Sequence, residues 1–290
     1  MIKANLTTPY IYILGTTQDG GFPHAGCKKK CCKDAFIDPN KAKKISSIAI
    51  VDPIDNQQWI IDASPDFKDQ YFNLQKQTSL NNLSGIFLTH AHIGHYLGLA
   101  QLGKEVIDSN QLKVYTMKRM FNFLSNNGPW DQLVKNKNIS LIEIKNEKKF
   151  NLNKQIDITP ILVPHRDEYS ETVCYLISSK EKKIIFIPDI DKWNLWNKNI
   201  LEIIKEVDYA LIDGTFYNNL ELGRDMSEIP HPFISETMDL FKDLEKKHKK
   251  KVFFTHLNHT NPLLIENSKE QKEVRDRGYN IATDNLILEL

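Results

Sequence analysis

The sequence predicts an α/β protein in which helices cover β-sheets. Ten short apolar runs, rich in β-branched and aromatic residues, recur along the 290 residues, and six longer segments with helical periodicity lie between them. The early runs are closely spaced, whereas the later ones alternate with helical segments, which is typical of layered sheets and helices. No low-complexity linker or repeat divides the chain, so we expect a single domain over residues 1–290.

The predicted strands are short apolar runs bounded by turn or polar residues. In chain order they are YIYILG (10–15), SIAIV (47–51), QWIIDA (58–63), GIFLTH (85–90), KVYTM (113–117), DITPILVPH (157–165), TVCYLIS (172–178), KIIFIPD (183–189), YALIDG (209–214) and KVFFTH (251–256). The predicted helices, which carry apolar residues three and four apart, cover 66–77, 95–107, 117–126, 194–206, 233–247 and 267–278. The charge run KDLEKKHKKK (242–251) ends one of them, and we interpret it as a solvated face.

Composition and charge narrow the class of protein. Lys and Arg number 38 against 37 Asp and Glu, so the net charge of +1 does not favour a nucleic-acid or membrane-surface partner. No segment approaches about 18 uninterrupted apolar residues, and the N-terminus lacks a signal-peptide cleavage pattern. We therefore expect a cytoplasmic protein that acts on a small-molecule or peptide-derived substrate, as a monomer or a homodimer. Its four cysteines are then more often thiols or metal ligands than disulfides.

The stretch LTHAHIGHYLGL (88–99) predicts a metal site. It places His90, His92 and His95 in an H-x-H-x-x-H pattern directly after a predicted strand. Three further predicted strands also end on a metal-ligating residue type, namely His165, Asp189 and His256. If these strands share one edge of a sheet, their terminal side chains converge on one cleft. Imidazole nitrogen and carboxylate oxygen are ligands suited to Zn, Mn or Fe(II), so we predict a metal-dependent active site.

These residues resemble the metal-binding pattern of the metallo-β-lactamase superfamily, whose fold is a four-layer αββα sandwich with a metal cleft between its sheets. The resemblance implies that Asp62, in IIDASPDF, supports the ligands from behind and fixes their orientation. It further implies one or two divalent metals, with His90, His92 and His165 as ligands of the first, His95 and His256 as ligands of the second, and Asp189 as the bridging carboxylate.

A narrower resemblance, to the PqqB family of pyrroloquinoline-quinone biosynthesis proteins, covers nearly the whole chain. The segments that carry it are GTTQDGGFPHAGC (15–27), DASPDF (62–67), DGTFYNNLELGRDM (213–226), HLNHTNPLLIENS (256–268) and RDRG (275–278). That family has largely lost the H-x-H-x-x-H histidines, whereas this chain retains them. We therefore interpret the chain as a metal-competent relative, nearer in site chemistry to the phosphodiesterases of the superfamily.

A second metal site is predicted in a Cys-rich segment, residues 24–35. GCKKKCCKD places three cysteines within six positions, namely Cys27, Cys31 and Cys32. Phosphodiesterases of the PhnP family carry a similar Cys-rich knuckle, whose structural zinc is completed by a histidine three residues after the last catalytic histidine. That resemblance implies His259 as the fourth ligand of a closed tetrahedral site. The C-x₃-C-C spacing departs from the family's, and His24 can replace one cysteine, so the ligand set stays open; Cys174 lies in an apolar run and is interpreted as core packing.

The expected reaction is hydrolysis of a phosphodiester or related ester by metal-activated water, with Asp189 in a catalytic position. In RDMSEIPHPF (224–233), Arg224 is a candidate clamp for an anion and His231 a candidate proton donor. Gln18 and Asp19, on a Gly-rich turn, are expected to border the cleft. The PqqB resemblance implies an alternative, an iron-dependent hydroxylase acting on a tyrosine-containing peptide product.

Gly94 stands where the best-known version of the histidine motif carries an aspartate. The first metal does not need that residue, but the second keeps only His95, Asp189 and His256. We therefore predict a tightly held first metal and a second metal that is weak, absent or completed by water.

Overall fold

The computed structural model describes residues 7–290 and consists of two facing β-sheets with helices on both outer surfaces. The strands are β1 (Tyr10–Gly15), β2 (Ser47–Asp52), β3 (Gln57–Ile61), β4 (Gly85–Phe87), β5 (Leu112–Thr116), β6 (Ile139–Glu143), β7 (Phe150–Asn151), β8 (Asp157–Leu162), β9 (Val173–Ser178), β10 (Lys183–Ile187), β11 (Tyr209–Asp213), β12 (Val252–Thr255), β13 (Asn280–Ile281) and β14 (Ile287–Glu289). The helices are α1 (Lys30–Ile37), α2 (Phe67–Thr78), α3 (Ile93–Tyr96), α4 (Lys118–Asn126), α5 (Trp130–Lys135), α6 (Ile200–Glu206), α7 (Ile234–Leu240), α8 (Lys246–Lys249) and α9 (Lys269–Asp276).

Within residues 7–290, each sheet contains seven strands, in the order β14-β1-β2-β3-β4-β5-β6 for the first and β13-β12-β11-β10-β9-β8-β7 for the second. Strands β3 to β6 are parallel to one another, and so are β10 to β13. Because β8 and β10 are both antiparallel to β9, β8 runs in the same direction as β10, β11 and β12. The carboxyl ends of these four strands therefore lie at one edge of the second sheet.

Successive side chains of a strand point to opposite faces of its sheet. The buried side chains therefore form three layers, one between the two sheets and one between each sheet and the helices that cover it. In β1, Ile11 and Ile13 face the second sheet, whereas Tyr10, Tyr12 and Leu14 face the helices on the other side. The apolar faces of α2 and α4 cover the first sheet, and those of α6, α7 and α9 cover the second. The predicted four-layer αββα sandwich is thus confirmed. Among residues 7–290, no helix combines the length and apolarity needed to cross a membrane.

All ten predicted strands are present, but three predicted helices are interrupted. The segment 194–206 forms a 3₁₀ turn over Trp193–Leu195 and then α6, with extended backbone at Trp196 and Asn199 between them. The other two interruptions have a visible cause. The segment 95–107 forms only α3 and a 3₁₀ helix over Leu97–Leu102, because Gly98 lies against the backbone carbonyls of residues 63 and 64 and has no room for a Cβ. The segment 233–247 ends at Leu240 and restarts as α8, since Phe241 turns inward and is fully buried in the outer core. Tertiary packing outweighs helical periodicity at both places.

Two hydrogen bonds join the sheets beside the predicted metal-binding segment. The hydroxyl of Tyr175, on β9, donates to the carbonyl of Leu88 at 2.6 Å, and the N–H of Val173 donates to the carbonyl of Thr89 at 3.1 Å. Tyr175 is completely buried, so its hydroxyl and the carbonyl that it satisfies are both removed from water. The chain immediately before His90 is therefore fixed to the opposite sheet.

We expect Tyr175→Phe to lower the free energy of unfolding by about 1–2 kcal/mol, because it leaves the buried Leu88 carbonyl without this donor. The measurement is urea unfolding followed by circular dichroism. Tyr209→Phe on β11 is the matched control: within residues 7–290 that hydroxyl has no hydrogen-bond partner, so its loss should change stability by less than about 0.5 kcal/mol. Equal effects of the two substitutions would contradict the assignment.

Candidate metal centre

The metal-ligating side chains converge on a cleft at the ends of both sheets. The chain leaving β4 carries His90 and His92, and the chains leaving β8, β10 and β12 carry His165, Asp189 and His256. Three of the four strands, β8, β10 and β12, share one sheet edge, whereas β4 belongs to the first sheet. The cleft is nevertheless formed, because the parallel strands of the two sheets present their carboxyl ends to each other.

The first cluster consists of four residues whose ligand atoms lie within 4.8 Å of one another: His90, His92, His165 and Asp189. The carboxylate oxygens of Asp189 lie 3.2 Å from His165 Nε2 and 3.4 Å from His90 Nε2. His90 Nε2 lies 2.8 Å from His92 Nδ1. Two nitrogen or oxygen ligands bound at about 2.0–2.1 Å to a tetrahedral zinc lie about 3.3 Å apart, so these residues fit a metal of that size. His165 Nε2 and Asp189 Oδ1 are buried without a hydrogen-bond partner in the described residues, which leaves both free to ligate.

Asp62 lies behind the histidines, as its position in the sequence predicts. Its carboxylate accepts hydrogen bonds from the backbone N–H of Thr89 at 2.8 Å and from the Thr89 hydroxyl at 2.9 Å. It also lies 2.7 Å from Nδ1 of His95, which directs Nε2 of that ring into the cleft. A carboxylate in this position fixes both the tautomer and the orientation of a ligating histidine.

Asp213, at the end of β11, supports histidines of the second sheet as Asp62 does those of the first. This role was not predicted from the sequence. It accepts a hydrogen bond from the Thr215 hydroxyl at 2.7 Å and lies 2.8 Å from Nδ1 of His231. The Thr215 hydroxyl in turn lies 2.9 Å from Nδ1 of His256. The sequence did contain an indication of it, because the apolar run YALID ends on a carboxylate, as the run KIIFIPD does.

A second group of ligand atoms lies beside the first and comprises Asp19, His95 and His256. Asp19 Oδ1 is 3.3 Å from His95 Nε2, while Asp189 Oδ2 is 4.0 Å from His95 Nε2 and 3.9 Å from His256 Nε2. Asp19 therefore does more than border the cleft. The Gly-rich turn places this carboxylate beside His95 and His256, two of the residues expected to bind the second metal.

The carboxylates of the cleft attract positive charge. Burial alone would lower the pKa of His165, but Asp189 and Asp191 outweigh burial and raise it to about 10. Burial likewise disfavours charge on His95, yet Asp62 and Asp19 raise its pKa well above the usual value. A divalent cation supplies that positive charge in place of protons, which is how metal binding and protonation compete at such sites.

The Cys-rich segment also forms a cluster with metal-ligand spacing. Cys27 Sγ lies 3.8 Å from Cys31 Sγ, and His259 Nδ1 lies 3.8 Å from Cys31 Sγ and 3.4 Å from Cys32 Sγ. Ligands of a tetrahedral zinc lie about 3.8 Å apart for two sulfurs and about 3.6 Å for sulfur and nitrogen, so the set fits zinc. His24 stays outside this set: its ring stacks on His259 and its Nδ1 bonds the carbonyl of Ala25.

The two candidate substrate-contacting residues, His231 and Arg224, differ in burial and in distance from the metal-ligating residues. His231 is buried beside Asp189, with 3.3 Å between Nδ1 and Oδ1. Arg224 is exposed and makes no hydrogen bond or ion pair to the metal-ligating residues of the described chain. Cys174 is fully buried in β9, as expected of a core residue.

Comparison with known proteins agrees with this geometry. The family model described as the β-lactamase superfamily domain matches residues 58–257, well over half of the chain. The chain belongs to the β-lactamase superfamily. Within it, the coenzyme PQQ synthesis protein B of Acinetobacter baumannii is 25% identical to this chain over 312 residues, covering 97% of this chain and 100% of the relative.

Solved structures show the same fold. The zinc-bound PqqB of Methylobacterium extorquens superposes with a TM-score of 0.81 at 23% identity, covering 97% of this chain and 100% of that one. A diphosphatase of the PhnP family superposes with a TM-score of 0.69 at 18% identity, covering 97% of each chain. The chain is therefore a metallo-β-lactamase-fold protein that resembles PqqB.

We expect Asp62→Asn to weaken metal binding in the cleft by about 10- to 100-fold, because the substitution removes the charge that holds His95 in its ligating orientation. The measurement is competition for Zn²⁺ with a chromophoric chelator. Asp55→Asn, on the exposed turn between β2 and β3, is the matched control and should bind metal as the unchanged protein does. Unchanged affinity in Asp62→Asn would contradict the role assigned to Asp62.

Proposed function

We propose that the protein is a metal-dependent hydrolase that cleaves a phosphodiester or a related ester. The observation that carries the proposal is the convergence of unpaired imidazole nitrogens and a carboxylate oxygen on Asp189, at the spacing of metal ligands. His90, His92, His165 and Asp189 would hold a divalent metal, which would supply a bound water of lowered pKa and polarise the electrophilic centre of a substrate.

His231 is suited to donate a proton to a leaving group. Its Nδ1 is hydrogen-bonded to Asp213 and lies 3.3 Å from Asp189 Oδ1, and its Nε2 has no hydrogen-bond partner within residues 7–290. Burial disfavours the charged ring, but the negative charges of Asp213 and Asp189 outweigh burial and raise the pKa of His231. A histidine oriented by a carboxylate in this way can deliver a proton from its other nitrogen.

Two observations favour a phosphodiester over other esters. The fold is shared over nearly the whole chain with a diphosphatase of the PhnP family, whose substrate contains phosphoryl groups. The knuckle formed by Cys27, Cys31, Cys32 and His259 is also the feature through which the sequence resembles PhnP-family phosphodiesterases. Arg224, exposed on the loop that leads to His231, remains our candidate for contacting an anionic part of a substrate.

The test is a substrate panel with metal-free protein reloaded with Zn²⁺, Mn²⁺ or Fe²⁺. We expect cleavage of bis(p-nitrophenyl) phosphate with zinc or manganese under anaerobic conditions, and slower cleavage of p-nitrophenyl acetate. Turnover that requires both iron and O₂ would contradict hydrolysis and favour the alternative of a PqqB-like iron-dependent hydroxylase acting on a tyrosine-derived or peptide substrate.

We expect His90→Ala to lower kcat/KM for bis(p-nitrophenyl) phosphate by at least about 100-fold, since it removes a ligand of the metal that stabilises the transition state by several kcal/mol. His248→Ala is the matched control. His248 lies on α8, before the amino end of β12, whereas the cleft lies beyond the carboxyl end of that strand. Full activity in His90→Ala would contradict catalysis at this metal centre.

We expect His231→Asn to slow cleavage of diphenyl phosphate by about 100-fold or more and cleavage of bis(p-nitrophenyl) phosphate by much less. Phenolate is the more basic leaving group and depends more on proton donation than p-nitrophenolate does. The measurement is kcat for both substrates. Equal losses with both would contradict a role in proton donation and leave His231 as a residue that positions Asp189.

A further inference from the structure

A side chain at position 94 would overlap Asp19. A Cβ placed on Gly94 would lie 2.1 Å from Oδ1 of Asp19, 2.6 Å from its Cα and 2.9 Å from its Cγ. Real carbon atoms do not approach this closely, so position 94 cannot carry a side chain while Asp19 stays where it is. The carboxylate of Asp19 therefore lies beside the histidine motif at the very position whose side chain the motif lacks.

The surrounding polar atoms point to a cation at this place. Asp19 Oδ1, His95 Nε2 and His256 Nε2 are all buried and have no hydrogen-bond partner in the described residues. The other nitrogen of each ring is already engaged, in His95 with Asp62 and in His256 with Thr215. Buried polar atoms without partners are costly, and three of them facing one another are satisfied together by a metal ion.

The spacing favours a metal over a direct ion pair. Asp19 Oδ1 and His95 Nε2 are 3.3 Å apart, whereas a charge-assisted hydrogen bond between such groups is about 2.7–2.9 Å long. The observed separation equals the spacing of about 3.3 Å between two ligands of one tetrahedral metal. Metal ligation therefore describes the contact better than a salt bridge does.

The backbone holds Asp19 firmly beside His256. The N–H of Leu257 donates to the carbonyl of Thr16 at 2.8 Å, and the N–H of Gln18 donates to the carbonyl of Leu257 at 3.0 Å. The chain then turns sharply through Gly21, whose φ of +70° suits glycine. The turn after β1 is thus paired with the segment that carries His256, and Asp19 is positioned by main-chain hydrogen bonds.

We propose that Asp19 is the carboxylate ligand of a second metal ion and replaces, from a distant part of the sequence, the aspartate that the motif lacks at Gly94. The second metal then has three clustered protein ligands, Asp19, His95 and His256, and Asp189 Oδ2, which lies 4.0 Å and 3.9 Å from the two imidazole nitrogens, is the next ligand atom within reach. The inference concerns metal binding alone and holds whichever reaction the cleft performs. It also replaces the expectation of a weak or absent second metal with that of a complete dinuclear site.

The test is the number and affinity of bound metals, measured by inductively coupled plasma mass spectrometry and by Zn²⁺ titration against a chelator. We expect Asp19→Ala and the nearly isosteric Asp19→Asn to bind one metal fewer per chain than the unchanged protein, or to bind that metal at least about 10-fold more weakly. Gln18→Ala, which changes the neighbouring side chain, should retain the full count. Gly94→Ala should lose the same metal as Asp19→Ala, because the added methyl displaces the carboxylate.

Three results would overturn the proposal. They are a full metal count at unchanged affinity in both Asp19 variants, full retention of the second metal in Gly94→Ala, and a single cleft metal in the unchanged protein. A purely structural role for Asp19 would give the first of these together with a lower melting temperature. Loss of hydrolysis in the substrate panel would leave the metal count untouched, so failure of this proposal and failure of the proposed function are distinguishable.

Discussion

The structure of the cleft depends on one buried carboxylate. Asp189 is 2% exposed, and the rings of six histidines approach its two oxygens to within 3.2–4.0 Å, namely His90, His92, His95, His165, His231 and His256. A buried charge is tolerated only when it is paired or ligates a metal. The charges of His165 and His231 overcome the effect of burial and hold the pKa of Asp189 well below its usual range, so the carboxylate stays ionised. Ligation by these rings requires that each be held in a fixed orientation around the carboxylate.

Two similar devices, one from each sheet, provide that orientation. In the first sheet Asp62 and Thr89 hold the backs of the motif histidines, and in the second sheet Asp213 and Thr215 hold the backs of His231 and His256. Asp62, Thr89 and Asp213 stand at or just after strand ends, so most of these contacts are anchored to the sheets, whereas His231 reaches Asp213 from the loop before α7. Precise ligand geometry is what metal-dependent chemistry requires of its supporting residues.

Much of this arrangement could be predicted from sequence, and the exceptions have physical causes. Apolar periodicity predicted ten of the strands, and the His and Asp residues that follow several of them predicted the first cluster, because the direction of a strand decides where its last side chain lies. The five-residue β6 and the three-residue β14 were not predicted. The short strands β7 and β13, of two residues each, carry too little pattern to detect. Asp19 was placed only at the border of the cleft, since its role arises from pairing between the turn after β1 and Leu257, which lie far apart in the chain. For Arg224 the sequence suggested more than the structure shows. Its charge and its Pro-rich loop predicted a contact with an anion, yet its side chain is exposed.

Anomalous X-ray diffraction from crystals of protein purified without chelators tests the central claim most directly. The account predicts two anomalous peaks in the cleft, the first bonded to Nε2 of His90, Nδ1 of His92 and Nε2 of His165. The absence of any peak within about 2.5 Å of those atoms, in crystals that do show a metal at the cysteine knuckle, would contradict it.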